Sequence, residues 1–187
     1  MPAHWLIRLT VVTVAFLMAT VLFGVSQSSS SGGKMTFSIS SSDFQNGAEI
    51  PKKFTCDGAD SSPELSWTDP PTGTHSLALI ADDPDAPVGT FTHWVLFNLP
   101  EDTRNLSANL TKVDELPNGA RQGRNGFRKI GYGGPCPPPG KPHRYFFKLY
   151  ALDRKVDLKP GATGEELERA IQGHTIGRAE IMGKYGR

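Results

Sequence analysis

Three carboxylates fall within four residues in the stretch Asp82-Asp83-Pro84-Asp85-Ala86-Pro87, where two prolines stiffen the corner. A carboxylate held in this way can orient a histidine, favour its charged form, or receive an ammonium group. Two histidines are placed to meet it. His93 stands near the start of the aromatic-rich run Phe91 to Leu99, and His143 stands where a glycine- and proline-rich loop, Gly131 to Pro142, runs into an apolar stretch ending at Tyr150. Imidazole donates or accepts according to its tautomer and charge. The loop has too many glycines and prolines for a helix or a central strand, so it is shaped rather than slack. Within it, the backbone amides of Gly133 and Gly134 can donate to an anion. Each feature also has an ordinary reading, as an Asp/Pro surface turn, a structural histidine, or a structural loop. Taken together they suggest one polar pocket at the end of a sheet, and a ligand carrying both signs, such as phosphoethanolamine, would satisfy it.

The elements that must position these residues are mostly strands. Ser76 to Ala81 is a compact apolar run and predicts a buried central strand feeding the acidic corner. Phe91 to Pro100 predicts a second strand. Its period of two puts His93, Val95 and Phe97 on one face and Trp94 and Leu96 on the other. His143 to Tyr150 predicts a third, and Ala179 to Tyr185 a last one. Met35 to Ser40 alternates as a first strand, Ile50 to Thr55 reads as a short edge strand, and Leu65 enters another. Residues 101–128 are polar and irregular. Thr163 with Glu166 forms a capping box, Leu167, Ala170 and Ile171 mark one helical face, and Gly173 is a stop. The fold class expected is mostly β with few helices.

Length and composition agree. The 187 residues suggest one domain behind a leader, and 15 prolines with 20 glycines favour a turn-rich β domain. The net charge of +1 gives nucleic-acid binding no global electrostatic support. Leu9 to Val25 is nearly continuous apolar sequence preceded by Arg8 and followed by a Ser/Gly run. We read residues 1–26 as a signal peptide or an N-terminal membrane anchor, 27–36 as a flexible linker, and 37–187 as the domain. The expected location is exported: periplasmic, extracellular or membrane-tethered.

Four groups of residues, in order, resemble the phosphatidylethanolamine-binding protein family, in particular its bacterial and archaeal Raf-kinase-inhibitor-like branch. They are Cys56-Asp57-Gly58 with Ser62-Pro63 and Leu65-Ser66-Trp67; Asp83-Pro84-Asp85-Ala86-Pro87; His93-Trp94-Val95 with Asn98-Leu99-Pro100; and Gly131-Tyr132-Gly133-Gly134-Pro135 through His143-Arg144-Tyr145, with Gly173-His174 beyond. The resemblance covers nearly all of residues 37–187. Glu64 departs from it, standing where the branch commonly has a second proline. It implies a large antiparallel sheet packed with a smaller one, plus peripheral helices. It also implies a pocket for phosphate, acetate or a phospholipid headgroup, with Asp83, His93 and His143 inside, Gly133, Gly134 and Pro135 as its wall, and Pro87 and Tyr145 beside it. The function expected is a non-catalytic binding or inhibitory module without cofactor or metal, its partners a small anion or headgroup and an unidentified protease or kinase. Three alternatives stand beside this reading. One is an exported serine-protease inhibitor. Another is a hydrolase using Asp83, His93 and His143, although no Gly-x-Ser-x-Gly elbow is present. The third is a metal site built from the same three residues. Cys56 and Cys136, the only cysteines, both lie in motif loops, so export would favour a disulfide between them; a pair of buried thiols is the alternative.

Overall fold

The computed structural model describes Met1 and residues 36–187. The expected leader, 1–26, and linker, 27–36, therefore lie outside the described residues except at their ends. Among the described residues eight strands form two antiparallel sheets. In chain order they are β1 (Ile39–Ser40), β2 (Leu65–Trp67), β3 (Ser76–Asp83), β4 (Phe91–Leu99), β5 (Asn105–Leu106), β6 (Arg121–Gln122), β7 (His143–Leu152) and β8 (Thr175–Tyr185). The larger sheet runs β6-β4-β3-β7-β8 and the smaller β1-β2-β5. The one α-helix among the described residues, α1 (Gly164–Ile171), precedes β8. Among the described residues no helix is long and apolar enough to cross a membrane.

Both faces of the larger sheet are covered, which is why β3 reads as an unbroken apolar run. On one face Leu77, Leu79, Trp94, Leu96 and Phe147 pack with Ile39, Leu65, Trp67 and Leu106 of the smaller sheet. On the other, Ile80, Val95 and Phe97 pack with Leu167 and Ile171 of α1. The helix begins at Thr163, whose side chain accepts from the Glu166 amide while Glu166 accepts from the Thr163 amide.

Several sequence expectations are corrected. Ile50 to Thr55 is not an edge strand: Pro51 fixes its own φ, and residues Lys52–Phe54 close into a 3₁₀ turn. Only Ile50 touches a strand edge, donating to the Lys184 carbonyl. Met35 lies outside the described residues; among those described, the first strand starts at Ile39, since its partner β2 offers only three residues. The last strand starts earlier, at Thr175, because it follows β7 along its whole length. Short β5 and β6 emerge from a region whose sequence looks irregular.

The most consequential correction concerns His93. The register between β3 and β4 pairs Ala81 with Trp94 and Asp82 with Thr92, leaving His93 as an extra residue in a bulge. The bulge breaks the period of two. His93 turns away from Val95 and toward Tyr145, with ring centroids 5.2 Å apart.

Candidate functional site

Alternation along β3 sends its two terminal acids to opposite sides. Asp82 points to the α1 side, where it pairs with Lys148, its second oxygen buried without a partner. Asp83 points the other way. Its Oδ2 lies 2.7 Å from His143 Nδ1, and its Oδ1 accepts from the Asp85 amide at 2.8 Å. The two residues are buried, Asp83 at 3% and His143 at 9% exposure. Asp85 in turn accepts from the Arg144 amide, Nε and Nη2, and these hydrogen bonds depress its carboxyl to about 2. That clamp fixes the β3–β4 turn against the start of β7.

His93 is held by a reciprocal pair. Its Nδ1–H donates to the Gly133 carbonyl at 2.7 Å, and the Gly133 amide donates to the His93 carbonyl at 2.9 Å. Because a carbonyl only accepts, Nδ1 carries the proton and Nε2 is the free ring nitrogen. Burial holds His93 below the ordinary histidine value, against the pull of the Gly133 carbonyl and the Asp83 charge. Its ring also meets Phe91 and Phe127 at 5.1 and 5.6 Å.

These side chains surround a cavity of about 140 Å³. Asp83, His93 and His143 supply its polar wall; Pro87, Val88, Phe91, Phe127, Pro137 and Pro138 supply most of the apolar remainder. Of the eight residues expected at the site, Asp83, Pro87, His93 and His143 line this space. Tyr145 sits behind it. Its hydroxyl is buried without a hydrogen-bond partner, and burial together with the Asp83 charge pushes the phenol up.

The expected glycine wall is differently employed. The Gly133 amide is taken by His93, and the Gly134 amide donates to Asp60 Oδ1 at 2.6 Å. Neither amide is left for an anion. Gly133 and Gly134 instead line a neighbouring cavity of about 140 Å³ with Asp60, Lys129 and Tyr132, while the Pro135 carbonyl accepts from Cys56. The stretch thus frames His93, and its two amides are engaged within the protein. Between the two cavities stand Phe127, which lines both, and a disulfide joining Cys56 and Cys136 with Cα atoms 5.4 Å apart. Among the described residues no group of three or more metal-ligating side chains is arranged around a common point.

Sequence reasoning passed over Phe91, Phe127 and Val88. Phe127 had a signal: it is an isolated aromatic in a turn begun by Asn125, whose side chain accepts from the Phe127 and Lys129 amides. Val88, 88% exposed on the β3–β4 turn, had none.

The family model described as phosphatidylethanolamine-binding protein matches residues 40–186. An Aquifex aeolicus protein named UPF0098 protein is 49% identical over 159 residues, 84% of this chain and 92% of its own. A protein of the same name from Methanothermobacter thermautotrophicus is 50% identical over 144 residues, 77% and 95% of the two chains. Among solved structures, Escherichia coli YbcL, titled a new member of the mammalian family, superposes with a TM-score of 0.76 at 35% identity, covering 81% of this chain and 98% of its own. The Chlamydia trachomatis homologue CT736 gives 0.74 at 39%, with the same coverage. The sheet order, the Asp83–His143 pair and the match across almost every described residue lead to one conclusion: this chain belongs to the phosphatidylethanolamine-binding protein family.

Proposed function

We propose that the cavity binds a small oxyanion, either free phosphate or the phosphate of a phospholipid headgroup, and that the protein acts as a binding module without turnover. The observation that carries this reading is the convergence of Asp83, His143 and His93 on one small space walled otherwise by apolar groups. The same wall carries no hydroxyl or free thiol of the kind that serves as nucleophile in most hydrolases. No serine or threonine lines the cavity, and the Cys136 sulfur is held in the disulfide. An apolar rim suits a ligand whose charged end enters first.

Calorimetric titration with phosphate and with phosphoethanolamine tests the proposal. Wild type should bind both, and His143→Ala should lose at least about tenfold in affinity, as expected when a charge-assisted hydrogen bond is removed. Equal binding by the two proteins would remove the pocket assignment. Saturable release of phosphate from a phosphomonoester, abolished by Asp83→Asn, would move the protein to the hydrolases. We also propose export, on the apolar run Leu9 to Val25. Protease added to intact cells after outer-layer permeabilisation should reach the domain, and its full protection there would place it inside.

A further inference from the structure

The imidazole and guanidinium hydrogens around the cavity are already committed. His93 Nδ1–H is given to the Gly133 carbonyl, and a neutral His143 gives its Nδ1–H to Asp83. The Arg144 guanidinium is turned onto Asp85. No lysine, arginine, serine or threonine lines the space. Tyr145 is not among the residues that line the space, and its hydroxyl is buried. The two ring Nε2 atoms, which have no partner among the described residues, then present only lone pairs beside a buried carboxylate. An oxyanion also brings only lone pairs. With both rings neutral, no side chain in the cavity can donate to it, and Asp83 repels it.

We propose that the cavity admits its oxyanion together with one proton, carried as an N–H on His143 Nε2. This rests on the anion-binding reading above and adds the charge state in which that binding occurs. The proton makes the Asp83–His143 pair neutral overall and creates one donor on the ring that lines the cavity. His143 is the better carrier of the two. Asp83 stands 2.7 Å away as its counter-charge, whereas His93 is buried against Phe91, Phe127 and Tyr145, and burial opposes a charge there. The other groups facing His143 keep their own partners. Asp85 is neutralised by Arg144, and Tyr185, opposite His143 in the β7–β8 register, donates to Asp57. The ligand class is accordingly a small tetrahedral oxyanion or carboxylate.

Sodium sulfate is the decisive probe, because it stays a dianion across the neutral range and any proton taken up must go to the protein. Titrations of the full chain are run at about pH 6 and pH 8, in buffers of different ionisation enthalpy. We expect about one proton absorbed per sulfate at the higher pH, and an affinity at least about tenfold weaker at pH 8 than at pH 6. His143→Gln, whose amide donates without taking a proton, should lose the uptake and flatten the pH dependence. Imidazole nitrogen shifts in wild type should move to those of imidazolium at His143 when sulfate is added, a reading that needs no variant. Sulfate binding of equal strength at both pH values, with no buffer-dependent heat, overturns the proton coupling and leaves the anion site standing. No saturable binding of sulfate, phosphate or phosphoethanolamine at either pH overturns both.

Discussion

Asp85 does its work without entering the cavity. It takes three hydrogen bonds from Arg144, and these hold its carboxyl at about 2 instead of the ordinary 3.8. A carboxyl depressed by folding stabilises the fold above its unfolded value, and that contribution vanishes as pH falls through the folded one. The window is therefore about pH 4 down to pH 2. The pair is largely solvated, so its contribution is small. Asp85→Asn should lower the urea midpoint slightly at pH 7 and leave it unchanged near pH 2; a difference that persists in acid would place the effect elsewhere. The same substitution frees the turn carrying Pro87 and Val88, so anion affinity should fall more than stability does. At this scale the sequence was readable where chemistry is local. A proline-stiffened acidic corner and a histidine at a loop–strand junction announce themselves. The partner of each acid does not, because Asp83 and His143 are 60 positions apart.

The elements were legible where hydrophobic period and length agreed, as in β3, β4, β7 and the capped helix. They were illegible where one residue changes the count. The bulge at His93 reverses the face that alternation assigns, and nothing in Phe91-Thr92-His93-Trp94 signals it; the register is set by β3, far upstream. The loop before β7 shows a similar limit. Its glycines are needed, but for close approach rather than for donating to a ligand. A Cβ on Gly134 would lie 2.3 Å from the Phe54 carbonyl oxygen and 2.8 Å from the Thr55 Cα, both backbone. A Cβ on Gly133 would meet the Phe127 ring at 2.6 Å, which is a side chain able to swing. Gly134→Ala should therefore cost about 2–3 kcal/mol in thermal or urea unfolding, and Gly133→Ala less. The milder variant should instead disturb the cavity, read as a change in anion affinity at nearly unchanged stability. The reverse order of the two stabilities would sink this account of the loop.

Across the whole molecule the disulfide is the longest covalent tie, closing residues 80 apart. Replacing Cys56 and Cys136 by serine should destabilise the domain by about 2–4 kcal/mol, through the loop entropy restored to the unfolded chain. Unfolded, unreduced protein should show no reactive thiol, and two thiols per chain would contradict the bridge. The sheet order carries a consequence for how the molecule is made. In β6-β4-β3-β7-β8 the middle strand is born early, and its second neighbour arrives only with residues 143–152. A nascent chain can zip β3 to β4 at once but must hold the other edge of β3 bare until residues 143–152 have left the ribosome. Pairings of such long sequence separation form slowly, and a bare strand edge invites a neighbour's. The cavity, the bridge and the closed sheet thus all come into being in one late event. Fragments released before Tyr185 is made, rather than the finished protein, are the species a cell must keep from sticking together.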